Sequence, residues 1–347
     1  MGKRNRSRQL QMLTEECEFV QSIEDILPLT HDPESWKEDI RIARESIDEP
    51  GSASALEAIL DFRTELFEAA TVASYQWLLD AVQVAQRTKE WYEETKDILT
   101  ASEFSNVWKG PRTRAALVLS KAPKDDTPRH SSRLACYKQE TSPMDWGVRY
   151  EPVVKQLLKY TIQDLGRIRH RKDSRLAASP DGLFVGKGEY EGYLVEIKCP
   201  TTRPIKEDIP FEYWCQMQLQ MEVCDRQKCL YVEMKFKEVP FEEGMEDWIS
   251  LDRNDETSEL RYRYSPNTTL EEGWASVEQY GWEVLETRKT LVNRDSVWFA
   301  SIQGDLELFW KDVQEARAGT WNPDLPPPRK SNKKEKCHIV DFPSAEN

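Results

Sequence analysis

Between residues 176 and 200 an aspartate, a glutamate and a lysine are spaced so that they could share one metal-centred site. LAASPDGLFVG is an apolar run, a Pro-Asp-Gly turn signal and a second apolar run. Three glycines follow, Gly186, Gly188 and Gly192, and then YLVEIKCP. Side chains alternate along a strand, so Leu194, Glu196 and Lys198 share one face and Tyr193, Val195 and Ile197 the other. A lone charge in an apolar strand is costly to bury, so such groups pair or bind a metal. Asp181 lies 15 positions before Glu196 and comes alongside if the two runs pair as a hairpin. Two carboxylates and an ammonium suit Mg²⁺, which takes few carboxylates and keeps several waters. The ion would polarise a phosphodiester and help generate hydroxide, while the lysine orients water, helps deprotonate it or offsets negative charge. Taken without the Asp181 turn, Glu-x-Lys is more often an ion pair on a strand surface.

Other segments must position and complete such a site. In WGVRYEPVVKQLLKY, Glu151 shares a helical face with Val154 and Leu158. It is a solvated stripe edge, the partner of an arginine, or part of the site. In YWCQMQLQM, helical spacing puts Tyr213, Gln216 and Gln220 together. A glutamine both donates and accepts, so it can hold a water or a phosphate oxygen. The alternative is a wet polar face, more so for Gln218. Ser102 and Ser179 offer hydroxyls to a phosphate, although Ser102 also suits a helix N-cap.

SPDG followed by EIKCP resembles the PD-(D/E)xK nuclease superfamily. The chain looks specifically like the branch holding phage lambda exonuclease and the YqaJ-type viral recombinases. LTASEFSNV (Leu99 to Val107) resembles the ITAS-type segment of that branch, WGVRYEP its WG-x-x-x-E helix, and YWCQMQLQM its Y-x-x-Q-x-Q helix. The resemblance spans roughly residues 90–235. It implies an α/β (α+β) restriction-endonuclease-like core, with a central mixed β-sheet flanked by helices. It implies Asp181 and Glu196 as Mg²⁺ ligands, with the Ile197 backbone carbonyl as a further one, and Mn²⁺ as a substitute ion. Lys198 would assist the water, with Glu151 and Gln216 in support. Ser102 and Ser179 would hold a terminal 5′-phosphate. One departure stands out, because the arginine that precedes the ITAS segment in that branch is replaced here by Thr95, beside Lys96. Lys96, Arg112 and Arg114 are the candidates to compensate. The implied activity is 5′-to-3′ degradation of linear duplex DNA, leaving 3′ single strands for recombination or repair. Implied partners are DNA ends, a single-strand annealing protein and further copies of the chain. An endonuclease of the same fold and an inactive end-binding protein are the competing readings.

The rest of the chain sets limits. It has 347 residues, 32% of them charged, and a net charge of −14. That balance does not suit a protein that coats DNA over its whole surface. Positive charge is concentrated in two stretches. Lys109 to Lys138 holds eight Lys/Arg against two Asp, and Gly166 to Arg175 holds five against one. Either stretch would follow a phosphate backbone without reading sequence, or simply face solvent. The seven cysteines form no CxxC pair and read as reduced thiols. No apolar run suggests a membrane span or a secretory signal, so an intracellular protein is expected. The expected organisation is a disordered basic tail (1–9), a helical region (10–88), a nuclease core (89–240), an acidic Trp-rich region (241–322) and a disordered tail (323–347). The Trp-rich region should begin irregular or strand-bearing and end in a helix near 297–318.

Overall fold

A computed structural model describes residues 71–86, 88–122 and 143–326. The expected tail at 1–9, residues 10–70 of the expected helical region and residues 327–347 of the tail expected over 323–347 lie outside the described residues. Helix α1 (71–80) is followed by α2 (Lys89–Glu93), a 3-10 turn (Glu94–Lys96), β1 (Leu99–Thr100) and a second 3-10 helix (Ala101–Val107). Then come α3 (Pro111–Lys121), α4 (Pro143–Leu158), β2 (Ile162–Gln163), β3 (Ile168–Arg169), β4 (Leu176–Ala178), β5 (Gly182–Phe184) and β6 (Leu194–Lys198). The remainder is α5 (Phe211–Cys224), β7 (Lys228–Pro240), β8 (Trp248–Asn254), β9 (Leu260–Tyr264), β10 (Trp274–Asn293), α6 (Ser296–Ser301) and α7 (Gln303–Arg317).

The main sheet runs β2-β5-β6-β7-β10-β8-β9 and is mixed, with β6 and β7 parallel and the other pairs antiparallel. A small sheet, β1-β4-β3, lies beside it. The mixed α/β architecture expected from the sequence is therefore present. The alternation of β6 divides the core in two. Leu194 joins a cluster with Met217, Leu219 and Met221 of α5. Val195 and Ile197 join a second cluster with Tyr150, Val153, Val154 and Leu158 of α4. Helices therefore cover both faces of the strand, as a near-continuous apolar strand requires.

The pairing that brings Asp181 in is β5 against β6, not a hairpin across the turn itself. The run before the turn, β4, belongs to the small sheet, and the run after it pairs with β6. Gly182 makes the approach possible. A Cβ there would lie 2.4 Å from Ile162 Cγ2 of β2, so only glycine lets β5 sit between its neighbours.

The acidic Trp-rich region is strand-built and continues the same sheet. Over 20 residues β10 changes partner, pairing with β8 along its first part and with β7 from Tyr280 to Asn293. Bulges at Ser276/Glu278 and Val284/Glu286 bend it between the two. Arg149 of α4 fastens this extension. It pairs with Glu238, bonds Tyr262 Oη at 3.3 Å, and its carbonyl accepts from Tyr264 Oη at 2.9 Å. Helices α6 and α7 then return to the core, where Leu306, Phe309, Trp310 and Val313 are buried.

An ion cluster ties the end of α5 to the end of β10. Glu222 accepts from Arg294 Nη2 at 2.6 Å and lies 3.6 Å from His170 Nε2. His170 and then Arg294 hold its carboxyl below the ordinary value of 4.5, against the opposing effect of burial. A depressed carboxylate contributes stability above its unfolded pKa, and that stability is lost as pH falls through the folded pKa. The melting temperature of the wild type should therefore drop below about pH 4.5, the ordinary carboxylate value. Glu222→Gln should flatten that acid limb, and superimposable acid profiles would refute the assignment.

Candidate active site

The site is built around Glu196, which is 0% exposed in the middle of β6. A carboxylate so far from water must have its lone pairs met by the protein. Lys198 Nζ donates to Oε1, Gln216 Nε2 donates to the same oxygen at 2.7 Å, and Gln220 Nε2 donates to Oε2 at 2.7 Å. Gln216 and Gln220 stand one helical turn apart on α5, so one face of that helix serves one carboxylate. Gln218 points elsewhere and is buried, contrary to the wet face expected for it. Its amide donates to the Asn293 carbonyl at 2.9 Å and its oxygen accepts from the Asp295 N–H at 2.7 Å.

Asp181 meets this group from β5. Its Oδ2 accepts the Ile197 N–H at 2.7 Å. Burial, then the Glu196 and Glu151 carboxylates, push the Asp181 carboxyl well above its usual range, against the pull of Lys198 and the Ile197 N–H. For Lys198, burial opposes the charged form, but Glu196 and Asp181 outweigh it and hold the ammonium above the usual lysine range. Lys198 is therefore a fixed cation, 4.9 Å from the centre of the Tyr213 ring. Glu151 of α4 lines the same cleft and pairs with Lys155 at 2.8 Å. Pro152 has no N–H, so the carbonyl of Val148, also on the cleft wall, lacks the usual helical donor.

The cleft holds about 600 Å³ and contains Ser102, Glu151, Ser179, Asp181, Glu196, Ile197, Lys198 and Gln216. Eight of the residues singled out from the sequence thus meet in one place. Lys96, Arg112 and Arg114 are not among its lining residues. Arg112 donates to the Pro326 carbonyl and Arg114 pairs with Asp312 of α7, so both hold the C-terminal segment against the core. Residues 123–138 of the first basic stretch lie outside the described residues, and the second stretch is largely engaged internally. Arg169 pairs with Glu94, Arg175 with Asp173 and Glu307, and Arg171 lies 3.5 Å from the Trp77 ring centre. Ser102 is not the helix cap either. Thr100 caps the second 3-10 helix, and Glu103 reaches back to the Thr100 N–H at 3.0 Å. Buried Lys121 pairs with that Glu103, so this turn is locked from beneath.

Three cleft residues had no signal in the local sequence pattern. Arg203 pairs with Glu233, which β7 sets opposite Lys198, so the pairing depends on strand register. Arg167 and Trp91 come from separate segments and meet only in the fold. Cys199 also lines the cleft, but burial pushes its thiol up to about 12, which leaves it unreactive at neutral pH.

The residues fit a divalent cation. Asp181 and Glu196 set two carboxylates against one ammonium, and burial first, then the Glu196 and Glu151 carboxylates, disfavours charge on Asp181, which a cation would offset. Among the described residues no three Asp, Glu, His or Cys side chains converge into a closed ligand set. The fit is therefore to an ion that keeps its own waters rather than to one needing a full protein cage.

Residues 90–227 match the family model of the YqaJ-like viral recombinase domain. That segment holds every element of the cleft just described. Over that stretch the chain is similar to this family. Among solved structures, the chain is similar to an alkaline exonuclease, LHK-Exo, from Laribacter hongkongensis. Identity is 20%, covering 67% of this chain and 95% of that one, with a TM-score of 0.39. The same protein in complex with dAMP gives 19% identity, the same coverage and a TM-score of 0.40. No curated protein matches the chain. Among the described residues no helix is long and apolar enough to cross a membrane.

The carboxylate cradle has a direct test. Gln220→Leu leaves Glu196 Oε2 without its donor in a fully buried setting. The expected cost is about 1–3 kcal/mol, the usual penalty for stranding a buried acceptor. Urea unfolding measures it, and an unchanged midpoint would show that Gln220 does not support the carboxylate.

Proposed function

We propose that the YqaJ-like domain hydrolyses DNA phosphodiesters in this cleft, acting as a Mg²⁺-dependent exonuclease on linear duplex ends. The observation that carries the reading is the convergence of Asp181, Glu196 and Lys198, with Glu196 held by Gln216 and Gln220. Asp181 and Glu196 would hold the ion, with the Ile197 carbonyl as a further ligand and Mn²⁺ as a substitute. When bound, the ion supplies Lewis-acid polarisation of the phosphodiester and a water of lowered pKa. Lys198 places a permanent positive charge beside the reacting phosphate, where negative charge develops. Gln216 presents an amide to the same spot, and Glu151 borders it from α4. Digestion would run 5′ to 3′ and leave a 3′ single strand for recombination or repair. A single-strand annealing protein is the natural recipient of that product, and further copies of the chain are the expected assembly partners. The working compartment would be intracellular.

The test uses linear duplex labelled at either end, with and without Mg²⁺. Lys198→Ala is expected to lower turnover by about 10²–10³-fold, the range for loss of one preorganised donor. Undiminished turnover would remove Lys198 from the mechanism. Label released from the 3′ end first would overturn the polarity. Digestion of covalently closed circles would replace the exonuclease reading with an endonuclease one.

The ion itself has a separate readout. Ligands that bind only the folded state raise its melting temperature. Mg²⁺ should stabilise the wild type and leave Asp181→Asn unmoved. Equal shifts in both proteins would place the ion elsewhere.

A further inference from the structure

Arg167 sits just before β3 and is 2% exposed. Its Nη1 donates to the Trp91 carbonyl, and its guanidinium carbon lies 4.2 Å from the centre of the Trp91 ring. Glu94 Oε2 is 3.6 Å from Nη1, but Glu94 is shared with Arg169 at 3.0 Å. The other two nitrogens, Nε and Nη2, have no acceptor among the described residues. Together they form one edge of the guanidinium, the parallel fork that matches two oxygens of a carboxylate or phosphate. Both nitrogens are buried, and a buried cation with one such edge unmatched is costly, so the arrangement calls for an acceptor that the described residues do not supply. Burial pulls the group below the ordinary arginine value, with Glu94 restoring it only in part.

The neighbours of Arg167 point to the same ligand. It lines the cleft with Ser102, Ser179 and Trp91. Trp91 Nε1 donates to Ser179 Oγ at 3.2 Å, which leaves the Ser179 hydroxyl proton free for another acceptor. Thr95, where the branch carries its arginine, turns its hydroxyl to the Tyr92 carbonyl and is not among the cleft's lining residues.

We propose that Arg167 is the phosphate anchor of the cleft, its Nε and Nη2 taking phosphate oxygens of the DNA beside the Ser102 and Ser179 hydroxyls. The charge missing at Thr95 is thus supplied from the start of β3, on a segment more than 70 positions away. This inference rests on the nuclease reading, since it presumes that DNA occupies the cleft. The phosphate is either the terminal 5′ group or an internal phosphodiester, and the two are separable.

The experiment measures binding of fluorescent duplexes with a 5′-phosphate or a 5′-hydroxyl, in EDTA so that no turnover intervenes, over a series of salt concentrations. Wild type, Arg167→Gln and Arg167→Lys are compared. Arg167→Gln should weaken binding about tenfold, equal to about 1.4 kcal/mol. It should also reduce the salt dependence by roughly one phosphate contact, a change that a purely structural role would not produce. Arg167→Lys should recover part of the affinity, because an ammonium keeps the charge without the fork. Loss confined to the phosphorylated duplex assigns the terminal phosphate. Equal loss on both assigns an internal phosphodiester. Unchanged affinity and salt dependence on both duplexes overturn the anchor. Should Arg167→Gln fail to fold, the arginine Nε–H resonances of the wild type decide the matter. A resonance shifted on adding either duplex supports the anchor, and none shifted overturns it. Turnover is assayed separately in Mg²⁺. A cleaving enzyme with Arg167-independent binding loses only the anchor, whereas Arg167-dependent binding without cleavage sinks the nuclease reading instead.

Discussion

A carboxylate with no exposure to water governs this structure. Glu196 lies in the centre of a strand covered by helices on both faces. Its charge is tolerable only while Lys198, Gln216 and Gln220 donate to it. That requirement fixes the rotation and height of α5 against β6. It also fixes where Asp181 must arrive, because the Ile197 N–H that receives it belongs to the same strand. Core and site are therefore one set of contacts. A change in sheet packing is felt directly at the carboxylates, through a hydrogen-bonded network whose members polarise one another.

The site was legible in the sequence wherever short-range geometry decides position. The face shared by Glu196 and Lys198 follows from strand alternation, and that of Gln216 and Gln220 from helical spacing. The mixed α/β core and the helical end of the Trp-rich region were legible for the same reason. What local pattern could not resolve was partner choice over distance. Arg112 and Arg114 read in sequence as candidates for a phosphate and Arg175 as part of a basic run, yet each meets a group on α7 or beyond it. Arg167 reads as one more member of the same basic run, and only Trp91 and Glu94, some 70 positions upstream, distinguish it. Gln218 looked like the most water-facing of the three glutamines, but Asn293 and Asp295 close over it. Ser102 and Thr100 are nearly equivalent as caps on paper. The reach of Glu103 back to the Thr100 N–H decides between them.

The strand extension was the least legible feature. An acidic, Trp-rich stretch has no strong alternation, because β10 pairs with β8 along one edge and with β7 along the other, with a bulge in each pairing. Its strands continue the main sheet beyond β7. Arg149 and its tyrosine and glutamate partners then link the extension to the helix that carries Glu151.

The closure of the chain on itself has a consequence for the order of events during synthesis. Arg317, at the end of α7, donates to the Lys121 carbonyl at 3.0 Å and to the Lys96 carbonyl at 2.9 Å. Those two residues flank the turn that carries Ser102. A ribosome that has delivered all the carboxylates and glutamines of the cleft has still to translate some hundred codons before this clamp exists. The carboxylate half of the cleft is thus encoded early, while the brace behind its serine-bearing wall is among the last parts of the fold to emerge. Translation would complete that brace only after the carboxylate half of the cleft.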